Sequence, residues 1–137
     1  MQGGSDIENY DLGIIKYCYL KDIPILGICL GMQEMGLCFN GKLQKISNHE
    51  NAVHDVVLTN SKLNLGSNLI TVNSRHKYAL LKTDLDIIGK CDNIIEAIED
   101  KNKKFFVGVQ WHPEDTFSYN YISKRLFSSF IDKVKGV

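Results

Sequence analysis

The sequence predicts an α/β domain around a buried, mostly parallel sheet, and three observations predict it. Helix-like and strand-like segments alternate along the chain. Residues 23–28 (Ile-Pro-Ile-Leu-Gly-Ile) are short, β-branched and almost wholly apolar, the composition of a parallel strand covered on both faces. The last stretch carries Tyr119, Ile122, Leu126, Phe130 and Val134 at steps of three and four, the stripe of a closing amphipathic helix.

The elements follow in order. Ile7, Tyr10, Ile14 and Cys18 recur at helical spacing, with Ile15 and Tyr19 alongside, so residues 7–20 are read as a helix with Asp6 as its N-cap, the alternative being a start a few residues later. Pro24 is tolerable near the start of the strand that follows. A short helix over residues 31–39 ends at Asn40-Gly41, and residues 48–51 are polar and read as a loop. Residues 53–58 and 69–72 are read as strands joined by the turn-rich segment 60–67. Residues 86–91, 94–98 and 105–110 give three more, separated by Asp92-Asn93 and by residues 100–103.

Composition narrows the function. The 137 residues suit one domain, and 44% hydrophobic with 23% charged residues is an ordinary globular balance. Sixteen Lys+Arg against sixteen Asp+Glu leave no basic excess, which argues against a nucleic-acid binder. No apolar run approaches the 18 residues or so of a membrane span, and the N-terminus lacks a secretory pattern. A cytoplasmic protein with free thiols is the expectation. Cys18, Cys38 and Cys91 are read as core residues. His49 and His54 have no metal-ligand spacing, so no metal is expected, and His76, where a strand ends, is a candidate for the pocket mouth.

The informative cysteine is Cys29, in Gly27-Ile28-Cys29-Leu30-Gly31-Met32-Gln33. A buried strand runs through a Gly-x-Cys-x-Gly turn into a helix, the arrangement of a nucleophile elbow. Gly27 and Gly31 would let strand and helix pass closely. The helix N-terminus would favour thiolate, so Cys29 is expected to react well below the ordinary thiol pKa of about 8.5. The Leu30 amide would face an oxyanion. A second segment, Gly108-Val109-Gln110-Trp111-His112-Pro113-Glu114, ends a strand with His112 and Glu114 two apart and on one side. Glu114 would orient the His112 ring, whose other nitrogen would take the thiol proton.

Together these motifs resemble the class I glutamine amidotransferase superfamily, with its G-x-C-x-G-x-Q and H-P-E motifs. Within it the chain looks most like the γ-glutamyl hydrolase-like branch, peptidase family C26, through Val72-Asn73-Ser74-Arg75-His76 and Ile95-Glu96-Ala97-Ile98-Glu99 as well. The resemblance implies a flavodoxin-like three-layer sandwich. It implies Cys29 as nucleophile, His112 as base then acid, and Glu114 as orienter. It places Gly4, in a Gly3-Gly4 turn, with Leu30 at the oxyanion, Gln33 on the glutamyl group, and Asn73, Ser74 and His76 along the substrate site. It implies hydrolysis of a small γ-glutamyl amide through a thioester, without cofactor. Two alternatives accompany this reading: a glutaminase subunit feeding ammonia to a synthase, and a remnant without turnover.

Three departures stand out. Leu30 occupies a position where the C26 branch often has arginine. Arg75 and Lys77 replace neutral family residues, and would either meet an anionic leaving group or remain solvated. The sequence begins at the Gly-Gly turn, where the family has earlier β/α units. The single domain over residues 1–137 is therefore expected to be incomplete, with a second copy or a synthase partner covering the edge left open.

Overall fold

The computed structural model describes residues 9–46, 50–59, 61, 63 and 65–136. Gly3, Gly4, Asp6, Ile7 and His49 lie outside the described residues. The order is α1 (Asn9–Lys21), β1 (Ile25–Ile28), α2 (Leu30–Cys38), β2 (Lys42–Lys45), β3 (Glu50–Leu58), β4 (Leu69–Arg75), β5 (Tyr78–Lys82), β6 (Asp86–Cys91), β7 (Ile94–Glu99), β8 (Phe106–Val109) and α3 (Tyr121–Val134).

The described strands form one sheet in the order β1-β8-β7-β6-β3-β4, with β5 pairing β7 and β2 pairing β5. β1 and β8 run parallel, in register from Ile25↔Phe106 to Ile28↔Val109. The ladders β7–β8, β6–β7, β3–β6, β3–β4, β5–β7 and β2–β5 are antiparallel. Among the described residues, β1 pairs on one side only.

Alternation along β8 divides the interior into two cores. Phe106 packs with Ile15, Met32, Met35, Leu80 and Ile98 under α1 and α2. Val107 and Val109 pack with Val56, Ile70, Val72, Trp111 and Leu126 under α3. At roughly 25 cal/mol per Å² of apolar surface removed from water, these two clusters are the main favourable contribution to folding.

Several elements differ from the sequence reading. Strands β2 and β5 had no place in it, and residues 50 and 51, read as loop, belong to β3. β2 is Lys-Leu-Gln-Lys, in which only Leu43 turns inward, so alternation has a single residue to show itself. The predicted helix faces are also corrected. On α1 the inward residues are Ile15 and Tyr19, whereas Tyr10 is 76% and Ile14 45% exposed. On α3, Ile122, Leu126 and Phe130 face the core, but Tyr119 precedes the helix and is exposed, as is Val134. Asn120 caps α3, its Oδ1 accepting from the Ser123 amide at 3.0 Å. Cys18, Cys38 and Cys91 are half-buried rather than core residues.

Candidate active site

Cys29 sits between β1 and α2, at the carboxyl end of the parallel β1–β8 pair. Its amide donates to the Val109 carbonyl at 2.9 Å, which ties the turn to the end of β8. It is the N-cap residue of α2, with φ 54° and ψ −104°. That conformation is costly for a residue with a Cβ, of the order of 1–3 kcal/mol, and persists only where the surroundings impose it. The imposition is visible at Gly27. A Cβ there would lie 2.9 Å from the Gly31 carbonyl carbon and the Met32 nitrogen, so the strand and the first turn of the helix are in backbone contact. Gly31 does not share this role, since a Cβ on it would enter open space. The expectation that both glycines serve close packing therefore holds for Gly27 alone.

The residues after β8 supply the second half of the site. His112 precedes a short 3₁₀ turn, Pro113–Asp115. Its Nδ1 lies 2.7 Å from Glu114 Oε2. A carboxylate only accepts, so Nδ1 carries the proton and Nε2 is the free basic nitrogen. Asn73 Nδ2 donates to Asp115 Oδ2 at 3.1 Å, linking β4 to the same turn. Adjacent strands thus deliver Cys29 and the His112–Glu114 pair to one end of the sheet, as strand ends in α/β folds converge.

The other residues singled out from the sequence lie deeper. Gln33 is fully buried, and its Nε2 donates to the Tyr78 carbonyl at 3.0 Å and to Gln110 Oε1 at 3.1 Å. Both of its N–H groups are committed to protein acceptors. Leu30 opens α2, where backbone N–H groups have no intrahelical acceptor. Ser74 and His76 are each 1% exposed.

Sequence reasoning gave no role to Gln110, Glu96 or His54. Gln110 Nε2 lies 3.5 Å from Cys29 Sγ. Glu96 is fully buried, with Oε1 3.2 Å from His54 Nε2 and Oε2 3.6 Å from His76 Nε2. Burial pushes its carboxyl pKa up, but the two histidines outweigh that and hold it below its ordinary value. A signal was present in the sequence: a lone carboxylate inside the apolar run 94–98 is expensive to bury unless partnered. Burial pushes the Cys38 and Cys91 thiols up, which disfavours their reactive thiolates. No His/Cys/Asp/Glu group able to hold a metal occurs among the described residues. No described helix is long and apolar enough to cross a membrane.

A strained cysteine at a strand-to-helix turn, with a His–Glu pair past the end of the neighbouring parallel strand, suits an α/β enzyme with a cysteine nucleophile. Residues 4–132 match the family Glutamine amidotransferase class-I, and the chain belongs to it. It is 33% identical over 116 residues to the γ-glutamyl-CDP-amidate hydrolase of Campylobacter jejuni, covering 82% of this chain and 54% of that protein. It is also 33% identical over 126 residues to the GMP synthase [glutamine-hydrolyzing] of Dictyostelium discoideum, covering 84% of this chain and 17% of that one. The chain thus spans about half of the hydrolase and a smaller part of the synthase. A crystal structure of a glutamine amidotransferase from Thermotoga maritima superposes with a TM-score of 0.67 at 19% identity, covering 93% of this chain and 55% of that chain. The fold is the flavodoxin-like fold of these enzymes.

Proposed function

We propose that this chain hydrolyses γ-glutamyl amides, either glutamine or a γ-glutamyl-amine conjugate, through a thioester on Cys29. The observation that carries this reading is the backbone of Cys29, held at φ 54° where β1 meets α2, beside the strand that leads to His112 and Glu114. Family membership and the likeness to the Campylobacter hydrolase support it.

In this mechanism His112 Nε2 takes the proton from the Cys29 thiol, and the sulfur attacks the γ-carbonyl carbon. The Leu30 and Gly4 amides receive the oxyanion. The tetrahedral intermediate collapses with loss of the C–N bond, and His112 returns its proton to the departing amine. A water then attacks the thioester, giving its proton to His112. The C–S bond breaks, and glutamate leaves. Glu114 holds the ring and stabilises the imidazolium formed in each half-reaction. Asn73, bonded to Asp115 beside this turn, would line the substrate side, with Ser74 and His76 buried behind it.

A second reading is a glutaminase component that passes ammonia to a synthase. The likeness to GMP synthase favours it. So does an apolar groove of about 190 Å³ along β1, lined by Ile14, Ile25 and Met35 beside the exposed face of α1. The discriminating experiment measures glutamate release from glutamine and from bulkier γ-glutamyl amides, without partner, for wild type and Cys29→Ser. Release from the bulkier amides, lost in the variant, supports the hydrolase. Release from glutamine alone supports the glutaminase component, and no release from any amide contradicts an autonomous hydrolase.

A further inference from the structure

The mechanism makes no use of the buried carboxylate at the centre of β7. Glu96 joins three elements, through His54 on β3 and His76 just past β4. From His76 the contacts continue towards the nucleophile. The His76 Nδ1–H donates to the Tyr78 carbonyl at 2.8 Å. The same carbonyl accepts from Gln33 Nε2, which also donates to Gln110 Oε1. Gln110 Nε2 reaches Cys29 Sγ, and its backbone amide donates to the Glu96 carbonyl at 2.8 Å. The path closes on itself as Glu96, His76, Tyr78, Gln33, Gln110 and again Glu96. It is buried along most of its length, with the nucleophilic sulfur on its rim.

We propose that this closed network is a positioning device for the nucleophile, in which Glu96 and His76 fix the Gln33 and Gln110 carboxamides so that Gln110 donates to Cys29 Sγ. Two physical features of the network support this. A carboxamide can rotate by half a turn and present its oxygen instead of its N–H. Gln110 presents N–H to the sulfur only while its Oε1 accepts from Gln33, and Gln33 donates there only while its other N–H is held by Tyr78. His76 shares that carbonyl, and Glu96 Oε2 faces the far nitrogen of the His76 ring at 3.6 Å, an ion pair when that ring is protonated. Second, a buried carboxylate with two histidines is costly compared with apolar packing, so the cluster is better explained by the geometry it specifies than by stability. An N–H aimed at the sulfur favours its thiolate form. Glu96, His54, His76 and Gln33 are positioning residues here, since they act on the sulfur through Gln110.

The inference rests on Cys29 as the nucleophile but not on which amide is cleaved. It is tested by the pH profile of Cys29 alkylation with iodoacetamide, a neutral reagent needing no glutamyl pocket. The groups facing Glu96 that titrate are His54 on β3 and His76 past β4, with Cys91 on β6 feeling its charge. Four variants enter the comparison: Gln110→Ala, Glu96→Gln, Gln33→Met, and the double variant Gln110→Ala/Glu96→Gln. The expected result is that each single variant moves the alkylation midpoint upward and slows labelling at pH 7 by about tenfold, the scale of misplacing a reacting group by a fraction of an ångström. The double variant should add nothing beyond Gln110→Ala, because both act through one contact. A purely structural role for Glu96 would lower the melting temperature and leave the midpoint in place, and that overturns the proposal. So does an additive double variant, or a Gln110→Ala profile superimposable on wild type. If Glu96→Gln fails to fold, Gln33→Met cuts the same path and decides the question. Parallel labelling with a glutamine-like diazoketone tests the glutamyl site separately: its failure on wild type would sink the proposed function and leave the alkylation result standing.

Discussion

Cys29 illustrates how much a single residue can demand of its surroundings. Its positive φ suits glycine, and Gly27 and the Val109 carbonyl hold it there. Replacing Cys29 by glycine should therefore give a protein about 1 kcal/mol more stable than Cys29→Ala, as measured by urea denaturation, because only glycine adopts that backbone without strain. Equal stabilities would mean that the turn is not strained. Glu96 makes a prediction in pH. Its folded-state value lies below the ordinary one, so the ionised form is favoured by folding. Its contribution is present above the unfolded-state value of about 4.5 and is lost as pH falls through the lower folded value. Urea midpoints measured between pH 3 and 6 should fall less steeply on acidification in Glu96→Gln than in wild type. An unchanged slope would remove the histidine partnership from the account. At this scale the sequence was legible in the strand-to-helix turn that carries Cys29 and in the His112–Glu114 contact. Gln110 and His54 were not legible, because their roles come from cross-strand neighbours far away in the chain.

Among the elements, the β1–α2 junction carries the most weight. Gly27→Ala would drive a methyl group into the backbone of Gly31 and Met32, 2.9 Å away, where no side-chain rotation relieves the clash. A loss of about 1–3 kcal/mol is expected, with Cys29 displaced and its labelling slowed. Gly31→Ala, facing open space within α2, should instead be neutral or stabilising by up to about 1 kcal/mol. A thermal denaturation series on the two variants checks the contrast, and equal losses would contradict it. Strands β1, β6, β7 and β8 could be read directly because their apolar residues are contiguous or bounded by turns. β2 could not, having one inward side chain in four, and the inward face of α1 was misassigned because apolar residues lie on more than one of its faces. Ile14 and Ile15 compete for the same role in a pattern, and packing under α2 selects Ile15.

On the scale of the whole molecule, two cores on opposite faces of one sheet hold the parallel β1–β8 pair rigid, and the candidate site is built where that pair ends. Charge is balanced overall, so the site relies on local groups rather than on a long-range field. The central claim is that these groups form a working glutamyl site around Cys29. It is tested most directly by intact mass after incubation with a glutamine-like diazoketone, for wild type and Cys29→Ser. The reagent reports both an activated thiol and a formed pocket. One adduct per wild-type chain is expected and none on the variant, with Cys38 and Cys91 unlabelled because burial raises their thiols. Folded wild-type protein that gains no adduct, or a variant that gains the same adduct, would contradict it.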